Sequence, residues 1–589
     1  MNFLSKMFNK ELEPERLKPF GDGVTHIEYP SCSLHELLKE TVLKYSKLTA
    51  YDYFGKEVSY QKFYEKIEHA AKSLKVLGVK KGDRITICMP NTPEAIILVY
   101  AVNMVGGSAN MIHPLSSENE MEYYIDISKS KYILTLDLLK NRILKATKNQ
   151  NIERIIMASV SESMPIVIKT AYIAQQLIKA KLNKTPQVIE ELDESKIILW
   201  QEFYNLGYSY NKNDYKAKVL GEKEAVILYS GGTTGKPKGV RLSNNAINSM
   251  ALQAISRIES AKPGNSVLSI LPIFHGFGLA CCVHTVLLAG MKSHFIPKFT
   301  PEELPKMIKK KKPNLVVGVP TLFEALASSN ETSKTYLKSV TDCISGGDIL
   351  KPELRKKVNK YLIEHGSSAQ LRVGYGLTES VAVVILSPSY YYKEGAIGIA
   401  MPDTEAKIFK PDTFKECKPN KKGEICVSGP SMMMGYLNEP EETKNTLVTH
   451  PDGKVWLRTG DIGYKNRDEI IFFESRLKRL IITSGYNIYP QYMEQLLVLY
   501  PAVEAAVVVG VPHPYKKQVP VANIVLKENY APSEELTQSI KKYLEKSVAK
   551  YSMPLAYEYI KTVPKTLIGK VNYKKLEEEC TKKYGKEQK

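Results

Sequence analysis

The segment Tyr229-Ser-Gly-Gly-Thr-Thr-Gly-Lys-Pro-Lys-Gly-Val240 holds the densest chemistry in the chain. Gly231, Gly232, Gly235 and Gly239 remove the Cβ atoms that would keep backbone amides away from an anion. Ser230, Thr233 and Thr234 add hydroxyl donors, and Lys236 and Lys238 add positive charge. The combination suits phosphate. It is not the G-x-x-x-x-G-K-[ST] loop, because Ser230 stands where the first glycine is needed and Pro237 where the final hydroxyl is needed. Other glycine turns follow short apolar runs at Leu271-Pro-Ile-Phe-His-Gly-Phe-Gly278, Cys343-Ile-Ser-Gly-Gly347 and Leu371-Arg-Val-Gly-Tyr-Gly376. The last continues into Leu377-Thr-Glu-Ser380, so Glu379 occupies the position a dinucleotide turn would give to its third glycine.

These groups need elements to hold them. Ala225–Tyr229 predicts a buried strand that feeds the phosphate loop, and Val267–Leu271 and Asn314–Gly318 predict further strands. Upstream, Leu34–Tyr45 and Tyr60–Leu77 read as helices, and Arg84–Met89, Tyr132–Leu136 and Glu153–Met157 as strands. The alternation predicts an α/β fold of layered, largely parallel sheets. Ligands then gather outside the carboxyl ends of strands, so the glycine turns are expected to meet in one cleft. Residues 398–464 predict a β-rich subdomain, and a small α+β domain is expected from about Arg476.

Composition narrows the partners. A chain of 589 residues exceeds one core, and 43% hydrophobic with 25% charged residues is ordinary for a soluble globular protein. The net charge of +19 comes mainly from dispersed lysine, with one dense run at Lys309–Lys312. That pattern suits anionic substrates or lipid surfaces. A nucleic-acid reader would cluster Arg with aromatics, so no nucleic-acid partner is expected. The eight cysteines show no C-x-x-C pair and no zinc spacing, which predicts reduced thiols. No apolar run of signal-peptide type follows Met1, and Ala95–Val102 is too short to span a bilayer. A cytoplasmic protein is expected. Drawn as a helix, residues 164–184 place Lys169, Gln175, Gln176, Lys179 and Asn183 on one side and Ile166, Val167, Ala171, Ile173, Ala174, Leu177, Ile178 and Leu182 on the other. Such a helix either packs on the core or lies at a membrane surface.

The ordered set Tyr229–Val240, Leu271–Leu279, Gly374–Ser380, Gly423–Tyr436, Trp456–Tyr464, Arg476–Pro490 and Pro564–Val571 resembles the adenylate-forming enzymes. These are the acyl-CoA synthetases, luciferases and adenylation domains of peptide synthetases. The likeness runs from about residue 30 to residue 576. It implies an AMP-binding domain over 1–475 and a mobile C-terminal domain over 476–589, with a hinge near Lys478.

It also implies a two-step reaction. A carboxylate first attacks the α-phosphorus of ATP, giving an acyl-adenylate and pyrophosphate. By resemblance, Ser230, Gly231, Gly232, Thr233, Thr234, Gly235 and Lys238 clamp the β- and γ-phosphates. Tyr375 and Gly376 meet adenine, Thr378 meets the α-phosphate, and Glu379 holds Mg²⁺. Gly346 and Gly347 line the adenine and acyl side, His275 stands beside the acyl carboxylate, and Asp461 accepts the ribose hydroxyls. Arg476 reaches the nucleotide, and Lys570 bridges the attacking carboxylate and the α-phosphate. In the second step a thiol, that of coenzyme A, displaces AMP.

Thr483-Ser-Gly-Tyr-Asn-Ile-Tyr-Pro490 resembles the long-chain fatty acid–CoA ligases, and residues 153–184 resemble an insertion of bacterial members. A fatty acid is therefore the expected acid. The alternatives are an aryl or other small carboxylate, an adenylate delivered to a carrier protein, and a catalytically silent basic binding protein. The chain departs from the family pattern at Ser475, which replaces a glycine, and at Arg479, which replaces an acidic residue. Asp348 stands where a small residue is frequent.

Overall fold

Arg84-Ile-Thr-Ile-Cys88 forms a strand because its apolar and β-branched residues can be covered on both faces, and four of the five are buried. The helix Pro93–Met104 follows, capped by the Thr92 side chain on the Ala95 amide and opened by Pro93. All of its residues are buried, in keeping with a sequence that is apolar at every position but Glu94 and Asn103. The computed structural model describes residues 24–182, 193–230, 237–389, 391–479, 481–483, 486–488, 490–514, 516–545, 548, 552–565 and 571–585.

Among the described residues the chain divides into two compact units, one built from residues up to 230, 237–406 and 427–457 and the other from 407–426 with 458 onward. In the first unit one sheet runs in the order Gly435–Tyr436, Lys238–Ser243, Glu224–Ser230, Ser108–Met111, Arg84–Cys88, Tyr132–Leu136, Arg154–Ala158, Ile197–Leu199. From Glu224–Ser230 onward the neighbours are parallel, while Lys238–Ser243 returns antiparallel. A second sheet carries Leu371–Gly376, Asp342–Gly346, Leu315–Gly318, Ser266–Ser269, Lys292–Phe295 and Thr49–Tyr53 in parallel succession. Asn91 ties the sheets together: its Nδ2 donates to the Ser269 and Leu271 carbonyls at 2.8 Å each, and its Oδ1 accepts from the Ile273 amide at 3.0 Å.

The second unit holds a smaller sheet in the order Tyr486–Ile488, Ile481–Thr483, Lys517–Leu526, Val503–His513, with Ala556–Tyr559 beside Lys517–Leu526. Its central hairpin is apolar at successive positions because both faces are covered. Val508 packs with Met493, Leu497, Ile540 and Leu544, whereas Val507, Val509 and Val511 pack with Leu576 and Cys580. The expected α/β class with a smaller α+β unit is the class observed.

The helix Ile166–Leu182 does not pack its apolar side on the core. Ile166 and Val167 are 84% and 81% exposed and Ile178 is 60% exposed, while Lys169, Tyr172 and Gln176 are half-buried. Lys169 and Gln176 of the polar side turn partly inward while Gln175 stays exposed, and Ile166, Val167, Ile173 and Ile178 of the apolar side face outward. Among the described residues no helix is long and apolar enough to cross a membrane.

Candidate active site

The glycine turns of the second sheet meet, as expected, around an open cavity whose empty space, open solvent included, is about 700 Å³. It runs along Leu315–Gly318, Asp342–Gly346 and Leu371–Gly376, from Leu315 and Val317 to the carboxyl ends of the last two strands, where Gly346, Gly347, Tyr375 and Gly376 line it together with His275. Ala254, Ile258, Cys281, Val317, Ile344 and Met401 make much of its wall apolar. Gly347 carries φ +77°, which a side chain would strain. His275 Nδ1 accepts the Phe277 amide at 3.3 Å. From Phe277 to His284 the chain winds as a wide π-helix before Thr285–Leu288 tightens to an α-helix. Such wide turns re-aim side chains at sites, and here Cys281 reaches the wall. His284, on the same helix, is structural: Tyr100 and Asn248 hold its two ring nitrogens, and burial pushes it down to about 3.

Leu371–Gly376 leads into a short turn, Thr378–Ser380, that places Thr378 and Glu379. Thr378 is buried and Glu379 half-buried. The turn ends in a strained link: Val381 has φ +66° and ψ −61°, and the Ala382 amide bonds the Ser380 carbonyl at 2.7 Å. This is a γ-turn that costs a β-branched residue about 1–3 kcal/mol. It presses against glycine, since a Cβ on Gly376 would lie 1.5 Å from the Ala382 carbonyl oxygen.

The phosphate segment reaches the same turn from the other sheet. Gly435–Tyr436 pairs antiparallel with Lys238–Ser243, and the Met433 amide donates to the Glu379 carbonyl at 2.8 Å. The Tyr436 hydroxyl donates to Glu379 Oε1 at 2.8 Å. Burial and the Glu379 carboxylate push that phenol up, so it stays a donor. Lys238 stands 5.0 Å above the Tyr436 ring and forms an ion pair with Glu442. Ser230 is half-buried and pairs across the strands with Lys238. Glu224 anchors the strand that enters the loop: Arg84 at 2.8 Å, Arg241 at 2.6 Å and Ser108 at 2.8 Å bond its carboxylate. Burial alone would raise this carboxyl, yet these partners hold it below its ordinary value. The candidates Gly231, Gly232, Thr233, Thr234, Gly235 and Lys570 lie outside the described residues.

In the second unit Asp461 and Arg476 face each other across antiparallel strands, with Arg476 Nε 3.5 Å from Asp461 Oδ1. Asp461 is 5% exposed, while the Arg476 side chain is 57% exposed. Ser475 is fully buried, and its hydroxyl finds no hydrogen-bond partner among the described residues. Arg479 is gripped by its own unit, through Glu494, the Val508 carbonyl at 3.3 Å and the Tyr573 ring at 3.8 Å.

Sequence reasoning missed Tyr436 and Glu442 as parts of the site. Tyr436 lies inside a motif already singled out, but nothing local says that it reaches Glu379. Tyr436 and Glu379 are 57 residues apart, and Lys238 and Glu442 are 204 apart.

Comparison with known proteins adds a family. Residues 38–437 match the AMP-binding enzyme model, and residues 492–570 match the AMP-binding enzyme C-terminal domain. The chain is 32% identical to the long-chain-fatty-acid–CoA ligase of Bacillus subtilis (strain 168), over 96% of this chain and 98% of the relative. It is 27% identical to 4-coumarate–CoA ligase 4 of Arabidopsis thaliana, over 90% of this chain and 88% of the relative. Its fold is similar to that of ATP-bound MatB from Rhodopseudomonas palustris, with a TM-score of 0.79 at 23% identity, covering 94% of this chain and all of the other.

Proposed function

The chain belongs to the AMP-binding enzyme family as an AMP-forming acid–thiol ligase, and we propose that its acid is a fatty acid and its acceptor the thiol of CoA. The observation that carries the substrate is the apolar cavity that reaches Leu377, next to Thr378 and Glu379, and among the described residues that line it there is no Asp, Glu, Lys or Arg. A hydrocarbon tail gains from burial there, whereas a second polar group on the acid would lose its hydration without a partner.

Each step has residues to serve it. The acid's carboxylate attacks the α-phosphorus, the bond to the β-phosphate oxygen breaks, and pyrophosphate leaves. We assign Ser230, Lys238 and the glycine loop to the β- and γ-phosphates, Thr378 to the α-phosphate, Tyr375 and Gly376 to adenine, and Asp461 to the ribose. Gly346, Gly347 and His275 border the acyl carboxylate, Arg476 is assigned to the nucleotide, and Lys570 to the attacking carboxylate and α-phosphate together. Glu379 would hold Mg²⁺, which when bound neutralises phosphate charge. One carboxylate oriented by a tyrosine hydroxyl suits an ion that keeps waters and phosphate oxygens as its other ligands. In the second step the CoA sulfur attacks the acyl carbonyl and AMP leaves. We place the hinge for this exchange at Lys478. The test is pyrophosphate release with ATP, Mg²⁺ and a panel of acids, followed by thioester formation with free CoA. Release with medium- and long-chain fatty acids is expected. Release with aryl acids alone would overturn the substrate, and adenylate without thioester would overturn the acceptor.

The outward apolar face of Ile166–Leu182 favours a membrane contact as well. Residues 164–184 contain Lys169, Lys179, Lys181 and Lys184 and no Asp or Glu. Exposed isoleucines and valine flanked by lysines suit an anionic lipid surface. Co-sedimentation with anionic phospholipid vesicles is expected for the wild type. It should be lost in Ile166→Asp/Val167→Asp, with activity on detergent-dispersed acid retained. Equal sedimentation of both proteins would rule the contact out.

A further inference from the structure

Lys238 is a basic group of the phosphate segment, and a carboxylate already holds it. Its ammonium pairs with Glu442 on the short helix Pro440–Thr446. Their side chains are 17% and 46% exposed, so the lysine is the more buried partner. The pair is not a chance meeting of two mobile chains. The Tyr436 amide donates to Thr443 Oγ1 at 2.9 Å, which fixes the helix against the strand beside Lys238. The Tyr436 ring then lies under the ammonium, and its hydroxyl is committed to Glu379.

An ammonium is one point charge, and phosphate oxygens and a carboxylate compete for it. We propose that Glu442 is an exchangeable counter-ion for Lys238, holding the ammonium in position while the phosphates are absent and yielding it to the β- and γ-phosphates of ATP. Glu442 takes the lysine back as pyrophosphate departs. The inference rests on the reading of Lys238 as a phosphate ligand. Its consequence is a clamp that binds both ATP and pyrophosphate less tightly than its donors allow. Uniform binding of this kind would lower KM without raising turnover, so its relief helps product release.

The test compares Glu442→Gln, which keeps shape and loses charge, with Glu442→Asp and Lys238→Ala in the full-length enzyme. For Glu442→Gln, KM for ATP should fall about two- to fivefold, the range of a partly exposed ion pair. Inhibition by added pyrophosphate should tighten by a similar factor, with kcat not raised. Both effects should shrink at high salt, which a merely structural role would not produce. Glu442→Asp should stay near the wild type, and an unchanged melting temperature confirms an intact fold. Unchanged or weaker ATP and pyrophosphate binding in Glu442→Gln, with both weakened in Lys238→Ala, overturns the counter-ion role alone. Unchanged values in Lys238→Ala overturn the phosphate-ligand reading and this proposal with it.

Discussion

Tyr436 joins two motifs through one hydroxyl, and its removal separates their contributions. Tyr436→Phe leaves the ring under Lys238 but takes the donor from Glu379. A hydrogen bond to a charged group is worth roughly 1.5–3 kcal/mol. We expect adenylate formation to fall about tenfold or more, with a higher Mg²⁺ requirement and little change in KM for ATP. Pyrophosphate release measured across Mg²⁺ concentrations checks this; a pure rise in KM for ATP would place Tyr436 on the nucleotide instead. Val381 is the other informative residue. Its γ-turn stores strain beside the assigned α-phosphate ligand, and Gly376 is the neighbour that makes room for it. Cys281 shows how the wall is built: burial pushes its thiol up to about 12, so it acts as a small apolar side chain.

At the scale of elements, the helix Pro93–Met104 carries a buried acid that the chemistry does not use. Glu94 Oε1 accepts the Ser163 hydroxyl at 2.5 Å, Oε2 has no partner among the described residues, and burial raises the carboxyl from 4.5 to about 7. The folded chain therefore holds a proton that the unfolded chain has released. Its stabilising effect is complete below pH 4.5 and is lost as pH rises through about 7. Relative to the wild type, Glu94→Gln should gain stability as pH climbs through that window, by up to ~3 kcal/mol. Paired melting curves at several pH values check it; a constant difference would mean that Glu94 does not titrate there. His35 and His284 act in the opposite sense. Burial lowers them to about 4 and about 3, so their contribution is present above pH 6.5 and is lost as pH falls through those values. Together they predict an acid limb of unfolding that is separate from the Glu94 effect.

At the scale of the molecule, the reaction asks the two ends of the chain for different things. Arg479 is fastened to Glu494 and Tyr573 within the second unit, next to the hinge we propose at Lys478. Lys478→Pro fixes φ and removes an amide donor. It should preserve acyl-adenylate formation in a single turnover and slow thioester formation by at least tenfold. Lys570→Ala should do the reverse, losing adenylation while retaining thioester formation from supplied acyl-adenylate. Quenched-flow separation of the two steps checks both variants. Parallel losses in both steps would assign these residues to folding rather than to their separate roles.

The sequence by itself determined the family, the order of the motifs and the α/β class. Those rest on local spacing: glycines after apolar runs, carboxylates within a few residues of them, and periods that fit strands or helices. Tertiary structure decided what local spacing cannot encode. The two-sided pattern of residues 166–182 showed that a helix has two faces, but only packing revealed that Lys169 and Tyr172 turn inward. The lysine of the loop was legible, whereas Glu442, 204 residues away, was not. Glu379 was legible as a carboxylate, yet its orientation by Tyr436 depends on strands brought together from distant parts of the chain. Val381 reads as an ordinary strand residue, and its strain exists only because Gly376 and Ala382 close around it. Side-chain chemistry is written residue by residue, but the fold alone chooses which charges compete.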